Sequence, residues 1–135
     1  MQMHEYACPL RWSDMDAYGH VNNARFFTYL EEARVDLLLG AGGEAGKYML
    51  DTGVLVAHHD IDYHAPLTFR AEPVTIEVWT ESVGGASCVV GYRVCDGELT
   101  YATASTRLVA FDLETHQVRR LTQPERDMLE RYRRA

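Results

Sequence analysis

Apolar side chains recur along this chain at two spacings, first that of a helix and later that of strands. Over residues 24–39 the apolar positions repeat three and four residues apart, which predicts a helix. Further apolar residues widen this surface beyond one stripe, so we expect the helix to be buried on more than one side. The glycine-rich run at residues 40–43 then predicts the end of the helix at a glycine cap.

The second half of the chain alternates apolar and polar residues, which is typical of strands with one buried face. Gly84-Gly85 and Asp96-Gly97 are turn signals, and Asp-Gly strongly favours a hairpin because a tight turn needs residues that tolerate positive φ. The last three strands therefore form an antiparallel meander. The predicted strands comprise residues 54–63, 74–83, 87–95 and 99–111.

Shorter elements are predicted near the two ends of the chain. Residues 6–12 predict a strand with Pro9 at an edge or bulge, and residues 124–134 predict a short amphipathic helix. No repeat or linker interrupts the sequence, so we expect one domain over residues 1–135. One helix against a curled antiparallel sheet is an α+β arrangement. Because a single sheet would leave the helix poorly covered, we expect a dimer or a larger assembly.

Composition and charge narrow the possible classes. The chain is 47% hydrophobic and 24% charged, as expected for a globular protein. It has neither an apolar window long enough for a membrane helix nor a start that resembles a secretion signal, so we expect a cytoplasmic protein without a membrane partner. The net charge of -7 argues against nucleic acid, which needs a basic surface. Cys8, Cys88 and Cys95 lack metal-binding spacing, which predicts core residues.

A polar loop at residues 14–23 runs directly into the predicted helix. The first N–H groups of a helix have no internal acceptors, and the helix dipole favours negative charge there. A carboxylate such as Asp16 can act on a carbonyl carbon as a nucleophile or as a general base for water. The N–H groups near Asn23 can then stabilise the oxyanion. Asp16 and Asn23 are therefore the candidate catalytic residues.

The loop residues also have structural interpretations. Acids in glycine-containing loops usually form turns, and Asp14 could instead contact Arg11 or Arg25. His20 could be a general acid or base, although a structural hydrogen bond is more common. Tyr18 could stack on a substrate or cover the loop. Either of the two asparagines is a typical helix cap.

Histidines and aspartates alternate in and just after the strand predicted at residues 54–63. Metal ligands must converge, whereas alternate residues of one strand lie about 6.5 Å apart. We therefore predict no metal site and interpret His58 or His59 as lining a cleft or an interface. The residues that would share one face of the strand are His58, Asp60, Asp62 and His64.

The loop and the helix together carry a recognisable signature. Between Asp14 and Val21 the sequence has the pattern D-x-D-x-x-G-x-V, which runs into the long helix. In this respect the chain resembles the hotdog-fold acyl-CoA thioesterases of the 4-hydroxybenzoyl-CoA thioesterase type. The resemblance covers nearly the whole chain, and its clearest segments are RWSDMDAYGHVNN at residues 11–23, Tyr29, EEAR at residues 31–34 and IDYHAPL at residues 61–67.

The resemblance implies an antiparallel sheet of five or six strands wrapped around one long central helix, with subunits that form dimers or tetramers. It implies hydrolysis of an acyl-CoA thioester without a metal or an organic cofactor. The family's catalytic carboxylate falls on Asp16 and its oxyanion-stabilising N–H on Asn23. The family's site lies between subunits, so residues 56–59 could come from the neighbour. The expected substrate-binding residues are Tyr18, Gly19, His20, Val21, Asn22, Val56, His58 and His59.

Two positions depart from related sequences. The turn at residues 83–87 lacks the Lys or Arg that relatives often place near it, so coenzyme A could instead contact Arg70, Arg93 or Arg107. At the position of Asn23 many relatives have a bulky residue or histidine. The difference changes the side chain but leaves the backbone N–H of Asn23 unaffected.

Three alternatives stay open. An acyl carrier protein as substrate would suit the missing basic turn, since a carrier offers only phosphopantetheine. A different thioesterase branch uses a glutamate of the central helix, for which Glu31 or Glu32 is available, but that branch's His-Gly-Gly loop is absent. A non-catalytic protein that binds acyl-CoA would keep the cleft without needing the acid.

Overall fold

The computed structural model of the chain describes residues 3–134. Within that range no helix is both long and apolar enough to cross a membrane. In chain order the elements are β1 (His4–Cys8), a 3-10 turn (Trp12–Asp14), α1 (Arg25–Asp36), a π-helical turn (Leu37–Ala41), α2 (Gly43–Thr52), β2 (Val54–Tyr63), β3 (Val74–Val83), β4 (Ser87–Asp96), β5 (Leu99–Asp112), β6 (Gln117–Val118) and α3 (Gln123–Arg131).

The strands form one antiparallel sheet in the order β1-β3-β4-β5-β2, and the short β6 pairs with β5. Alternation on β3 is confirmed, because Val74, Ile76 and Val78 are fully buried whereas Thr75 and Glu77 are partly exposed. This buried face packs with α1 to form the core, so the predicted α+β hotdog architecture is confirmed. The buried residues of α1 are Phe26, Tyr29, Leu30, Ala33 and Arg34.

Two segments differ from the sequence prediction. The first strand ends at Cys8 rather than at residue 12, because Pro9 has no N–H for the ladder and a 3-10 turn follows. The helix predicted over residues 24–39 is α1 followed by the π-helical turn, and the stretch after the glycine run is helical rather than irregular. Gly43, with φ of 61°, begins α2 instead of ending the helical region.

The predicted hairpin between β4 and β5 is confirmed with a shift of one residue. Asp96 pairs with Leu99, so the two turn residues are Gly97 and Glu98. Only Gly97 has a positive φ, 60°, which suits a turn whose first central residue is glycine.

The three cysteines are core residues, as predicted. Cys8, Cys88 and Cys95 are each at most 2% exposed, and all three are free thiols. Burial raises the pKa of Cys8 and of Cys88 to about 12. These thiols therefore stay protonated at neutral pH.

A buried carboxylate fixes the C-terminal helix. Glu125 accepts hydrogen bonds of 2.8 Å from both terminal nitrogens of Arg119 and forms a reciprocal capping box with Thr122. Burial alone would raise the pKa of Glu125, but these bonds outweigh burial and hold the pKa below its usual value. The start of α3 is thereby locked to the segment that follows β6.

Three residues after the glycine run, Gly46 of α2 lies directly against the π-helical turn. A Cβ on Gly46 would stand 2.0 Å from the carbonyl oxygen of Leu38, which is backbone and cannot swing away. We expect Gly46→Ala to lower the free energy of unfolding by about 3 kcal/mol, as overpacking does. Urea denaturation measures the change.

Gly40→Ala is the matched control. Gly40 lies in the same π-helical turn, and a Cβ there would meet nothing within 4 Å. We expect this variant to be neutral or more stable by about 0.5 kcal/mol, since alanine loses less backbone entropy than glycine. Equal destabilisation of both variants would contradict the close packing of Gly46.

Candidate active site

Asp14 is the buried anchor of the polar loop. Its side chain is 1% exposed, and it accepts hydrogen bonds from the Tyr29 hydroxyl at 2.7 Å and from Arg11 Nη2 at 3.0 Å. Arg25 Nε lies 3.9 Å away. Burial alone would raise the pKa of Asp14, but the Arg11 and Tyr29 hydrogen bonds outweigh it and hold the pKa below its usual value. The structural interpretation of Asp14 is therefore supported.

Main-chain hydrogen bonds close the loop into a tight turn. Met15 and Val21 form an antiparallel bridge. The Asp16 N–H donates to the His20 carbonyl at 2.9 Å, and the Gly19 N–H donates to the Asp16 carbonyl at 3.0 Å. Gly19 has φ of 77°, which a side chain would strain.

Among residues 3–134 the Asp16 side chain has one hydrogen-bonding partner. Its Oδ1 accepts the N–H of Tyr18 at 2.9 Å, which is the Asx turn expected of an acid in such a loop. Within the part of the chain that the structure describes, no donor bonds the second oxygen. Asp16 therefore forms the turn and still has an oxygen available for chemistry.

A cleft of about 350 Å³ opens beside the loop. Asp16 and Asn23 both line it, so the two predicted catalytic residues lie at the same cavity. Its other walls come from α1 and from the segment that follows β2. The lining residues are Asp16, His20, Val21, Asn23, Phe26, Tyr63, His64, Ala65, Pro66 and Leu67.

Asn22, rather than Asn23, bonds the backbone that leads into the central helix. Its Oδ1 accepts the Ala24 N–H and its carbonyl accepts the Arg25 N–H, both at 2.9 Å. The Asn23 carbonyl accepts a hydrogen bond of 2.8 Å from the Tyr63 hydroxyl. No acceptor for the Asn23 N–H is found among residues 3–134, so this N–H is available to a ligand.

These groups suit attack on a carbonyl carbon. A carboxylate oxygen can add to the carbon or activate water, while an unpaired N–H at a helix start can stabilise the negative charge that develops on oxygen. The sequence model of the thioesterase-like superfamily matches residues 10–131. The chain belongs to this family.

Named relatives agree with this assignment. The 1,4-dihydroxy-2-naphthoyl-CoA hydrolase of Synechococcus elongatus is 28% identical over 129 residues, which is 93% of each chain. The long-chain acyl-CoA thioesterase FadM of Escherichia coli is 28% identical over 124 residues, 90% of this chain and 92% of its own. The structure of a thioesterase complexed with coenzyme A and zinc from Thermus thermophilus has a TM-score of 0.79 at 25% identity, covering 95% of this chain and 92% of the other. The prediction of a hotdog-fold thioester hydrolase is thereby confirmed.

The predicted loop residues of this thioesterase lie at or beside the cleft. His20 and Val21 line it. Tyr18, 85% exposed, and Gly19 form the exposed tip of the loop, and Asn22 accepts the Ala24 N–H. Substrate contacts of these residues stay a prediction.

The predicted residues of β2 lie away from the cleft of their own subunit. Val56 and His58 are exposed. His59 packs against the Phe27 ring, with centroids 5.0 Å apart, and its Nδ1 hydrogen-bonds the Thr106 hydroxyl at 2.9 Å. Burial, with the nearby Arg34 charge, lowers the pKa of His59. That these residues reach a neighbour's site stays a prediction.

The last residue of β2 and the segment that follows it were not predicted as part of the site. Tyr63, Pro66 and Leu67 line the cleft, and His64 Nε2 hydrogen-bonds the Thr103 hydroxyl at 2.9 Å. The IDYHAPL run pointed to this segment only through the family resemblance. Across residues 3–134, no three His, Cys, Asp or Glu side chains are grouped closely enough to hold a metal ion.

Asp14→Asn should lower stability in a pH-dependent way. The folded-state pKa of Asp14 is depressed, so its ionised form stabilises the fold above the usual carboxyl pKa, near 4, and that contribution is lost as pH falls through the folded value. We expect a loss of about 2 kcal/mol at pH 7, as for hydrogen bonds to a charged group. Urea denaturation at pH 7 and near pH 3 measures it, and a difference that persists undiminished at low pH would contradict the role of the ionised carboxylate.

Proposed function

We propose that this thioesterase hydrolyses acyl-CoA thioesters to free acid and coenzyme A, and that it is of the 4-hydroxybenzoyl-CoA thioesterase type. The observation that carries the proposal is the presence of Asp16 and the unpaired Asn23 N–H at one cleft. The names of the two curated relatives, a naphthoyl-CoA hydrolase and an acyl-CoA thioesterase, support the substrate class. The D-x-D-x-x-G-x-V loop supports the type.

In the proposed mechanism the thioester carbonyl lies between these two groups. Asp16 adds to the carbonyl carbon, or removes a proton from a water that does so. The Asn23 N–H and the positive end of the α1 dipole stabilise the oxyanion. In the nucleophilic route the C–S bond then breaks to leave an acyl-Asp16 anhydride, and water cleaves the bond between the acyl carbon and Asp16; in the general-base route water itself adds and the C–S bond breaks. In both routes water supplies the second oxygen of the acid, one of its protons goes to the coenzyme A thiolate and the other to the solvent, so that Asp16 is regenerated. These steps require no metal or organic cofactor.

Two arginines outside the turn at residues 83–87 support coenzyme A over a carrier protein. Arg126 of α3 donates a hydrogen bond to the Gly84 carbonyl. The Arg120 guanidinium lies over Gly85, whose Cβ, if present, would stand 3.0 Å from Nη2. Among the residues described, no side chain or carbonyl hydrogen-bonds the Arg120 guanidinium. The turn itself contains no Lys or Arg, but these two arginines from elsewhere in the chain place positive charge against it.

Two of the three arginines first considered for this role are less available, and Arg107 stays a candidate. Arg70 is paired with Asp96 and with two backbone carbonyls, and Arg93 is paired with Glu77 at 3.3 Å. Arg107 is exposed on β5. Neutralised guanidiniums attract phosphate less, so Arg120 and Arg126 are better candidates for the coenzyme A phosphates.

The position of these two arginines favours a site shared by two copies. β3 begins at Val74, which pairs with Cys8, the residue at which β1 ends and the chain leads towards the polar loop. The turn at residues 83–87 lies at the other end of β3. At 3.3 Å per residue the two ends of β3 are about 30 Å apart. A second copy could bring its own turn to the Asp16 cleft. The edge strand β2 supports such pairing, because Leu55 and Val56 are 44% and 42% exposed on it. We propose a dimer through β2, with a tetramer as an association of two dimers.

Asp16→Asn should abolish most turnover without unfolding the loop. Asparagine keeps the oxygen that accepts the Tyr18 N–H but can act neither as a base nor as a nucleophile. We expect kcat to fall by about a hundredfold or more, in line with the loss of a general base. Release of free coenzyme A from a panel of acyl-CoAs, followed with a thiol-reactive dye, measures it.

Equal rates for wild type and Asp16→Asn would remove Asp16 from the mechanism. A wild type that turns over acyl groups only on a carrier protein would support the carrier alternative. Binding of acyl-CoA with no turnover on either substrate would support the non-catalytic alternative.

The double variant Arg120→Ala/Arg126→Ala should weaken binding of coenzyme A specifically. We expect KM for an acyl-CoA to rise about tenfold with kcat unchanged, as for the loss of charge-assisted bonds to phosphate. KM for the same acyl group on phosphopantetheine should stay the same. Arg131→Ala, which removes an exposed arginine of α3, is the control. An equal effect on both substrates would contradict phosphate recognition.

A further inference from the structure

The peptide group that joins Asn23 to Ala24 is held at both polar ends by side chains. Its N–H donates to Asn22 Oδ1 at 2.9 Å. Its carbonyl oxygen accepts the Tyr63 hydroxyl at 2.8 Å. A polar side chain commonly accepts one N–H at a helix start. A second side chain that reaches from a distant strand and donates to the carbonyl of the same peptide group is an additional restraint.

The chain is also fixed immediately before Asn23. The Val21 N–H donates to the Leu67 carbonyl at 2.7 Å, and the Asn22 N–H donates to the Asp14 carbonyl at 2.9 Å. The Asn23 N–H belongs to the peptide group between these restrained ones, and the carbonyl of that group, on Asn22, accepts the Arg25 N–H at 2.9 Å. A flip of this peptide group would break that bond, so the direction of the Asn23 N–H is set in advance. Donors fixed before the reaction stabilise an oxyanion without a reorganisation cost.

Tyr63 is well placed to provide such a restraint. It is the last residue of β2, where it pairs with Ala102 of β5, so the sheet determines its position. Its ring packs edge-on against Phe26, with centroids 5.3 Å apart. Burial raises the pKa of Tyr63, so its hydroxyl remains a donor at neutral and mildly alkaline pH.

We propose that Tyr63 is a positioning residue: its hydrogen bond to the Asn23 carbonyl holds the peptide group that follows the Asn23 N–H and so helps to fix the direction of that N–H, with Asn22 holding the other end of the same peptide group. This inference rests on the proposed role of Asn23 as oxyanion donor. Tyr63 acts on the rate of the chemical step and not on the binding of the ground-state substrate.

Tyr63→Phe tests the hydroxyl while keeping the ring that packs on Phe26. We expect kcat to fall about tenfold with KM unchanged. Removing an oxyanion donor altogether lowers kcat by ~100-fold or more, and a donor that is present but misdirected should lower it less. The thermal midpoint should stay near that of wild type. Tyr48→Phe is the control, because it removes a hydroxyl from a tyrosine of similar exposure, 48% for Tyr48 against 45% for Tyr63. Tyr48 is on α2 and lies away from the cleft.

Asn22 provides a second, independent arm. Asn22→Ala should lower kcat by a similar factor, and Asn22→Ser should recover most of it, because serine also accepts a helix-start N–H. The double variant Tyr63→Phe/Asn22→Ala should lose less than the product of the two single losses, since both side chains hold one peptide group. Multiplicative losses would contradict this shared action.

A readout without turnover separates this inference from the proposed function. Backbone ¹⁵N relaxation should show lower order parameters for Asn23 and Ala24 in Tyr63→Phe than in wild type or Tyr48→Phe. Unchanged order parameters with unchanged kcat, or a rise in KM at constant kcat, would overturn the positioning role. If the wild type hydrolyses no thioester, the proposed function fails, while the relaxation result still decides whether Tyr63 orders this peptide.

Discussion

The Asp14 carboxylate has almost no contact with water, and Arg11, just before the polar loop, and Tyr29 of α1 both donate hydrogen bonds to it. A buried charge is tolerated only when donors satisfy it, so the carboxylate keeps both of these side chains in place. The main chain of the same residue accepts the Asn22 N–H, which joins the two arms of the loop. The position of the cleft relative to α1 therefore depends on this one residue.

Asp14 and Asp16 are two residues apart and have different environments. Asp14 faces the interior and uses both oxygens in structural bonds, whereas Asp16 faces the cleft and uses one in the Asx turn. The Met15–Val21 bridge holds the intervening backbone. Two similar carboxylates thus have separate tasks because their surroundings differ, as is common where acids share a site.

The elements and site residues that depend on a local sequence pattern could be predicted, whereas those that depend on contacts between distant parts of the chain could not. Alternation such as that of Val74, Ile76 and Val78 reports burial directly, so the meander could be predicted. Helix α2 was missed because the glycine run resembles a helix end, whereas the helical region continues through it, and Gly46 just after the run allows two helical segments to cross closely. The two catalytic candidates follow from a contiguous motif. Tyr63 reaches Asn23 only because β2 pairs with β5 at the sheet edge, a long-range contact that no local pattern encodes.

The burial of the three cysteines matters for an enzyme whose proposed product is itself a thiol. Coenzyme A released at each turnover can be oxidised to its disulfide by an oxidant in solution, and a surface thiolate could then attack that disulfide, which would form a mixed disulfide and expel one coenzyme A thiolate. With a pKa of about 12, Cys8 and Cys88 have on the order of one thiolate in 10⁵ molecules at pH 7. Their burial also keeps such a disulfide away from these sulfurs. The core that stabilises the fold thus makes the protein resistant to modification by the disulfide of its own product.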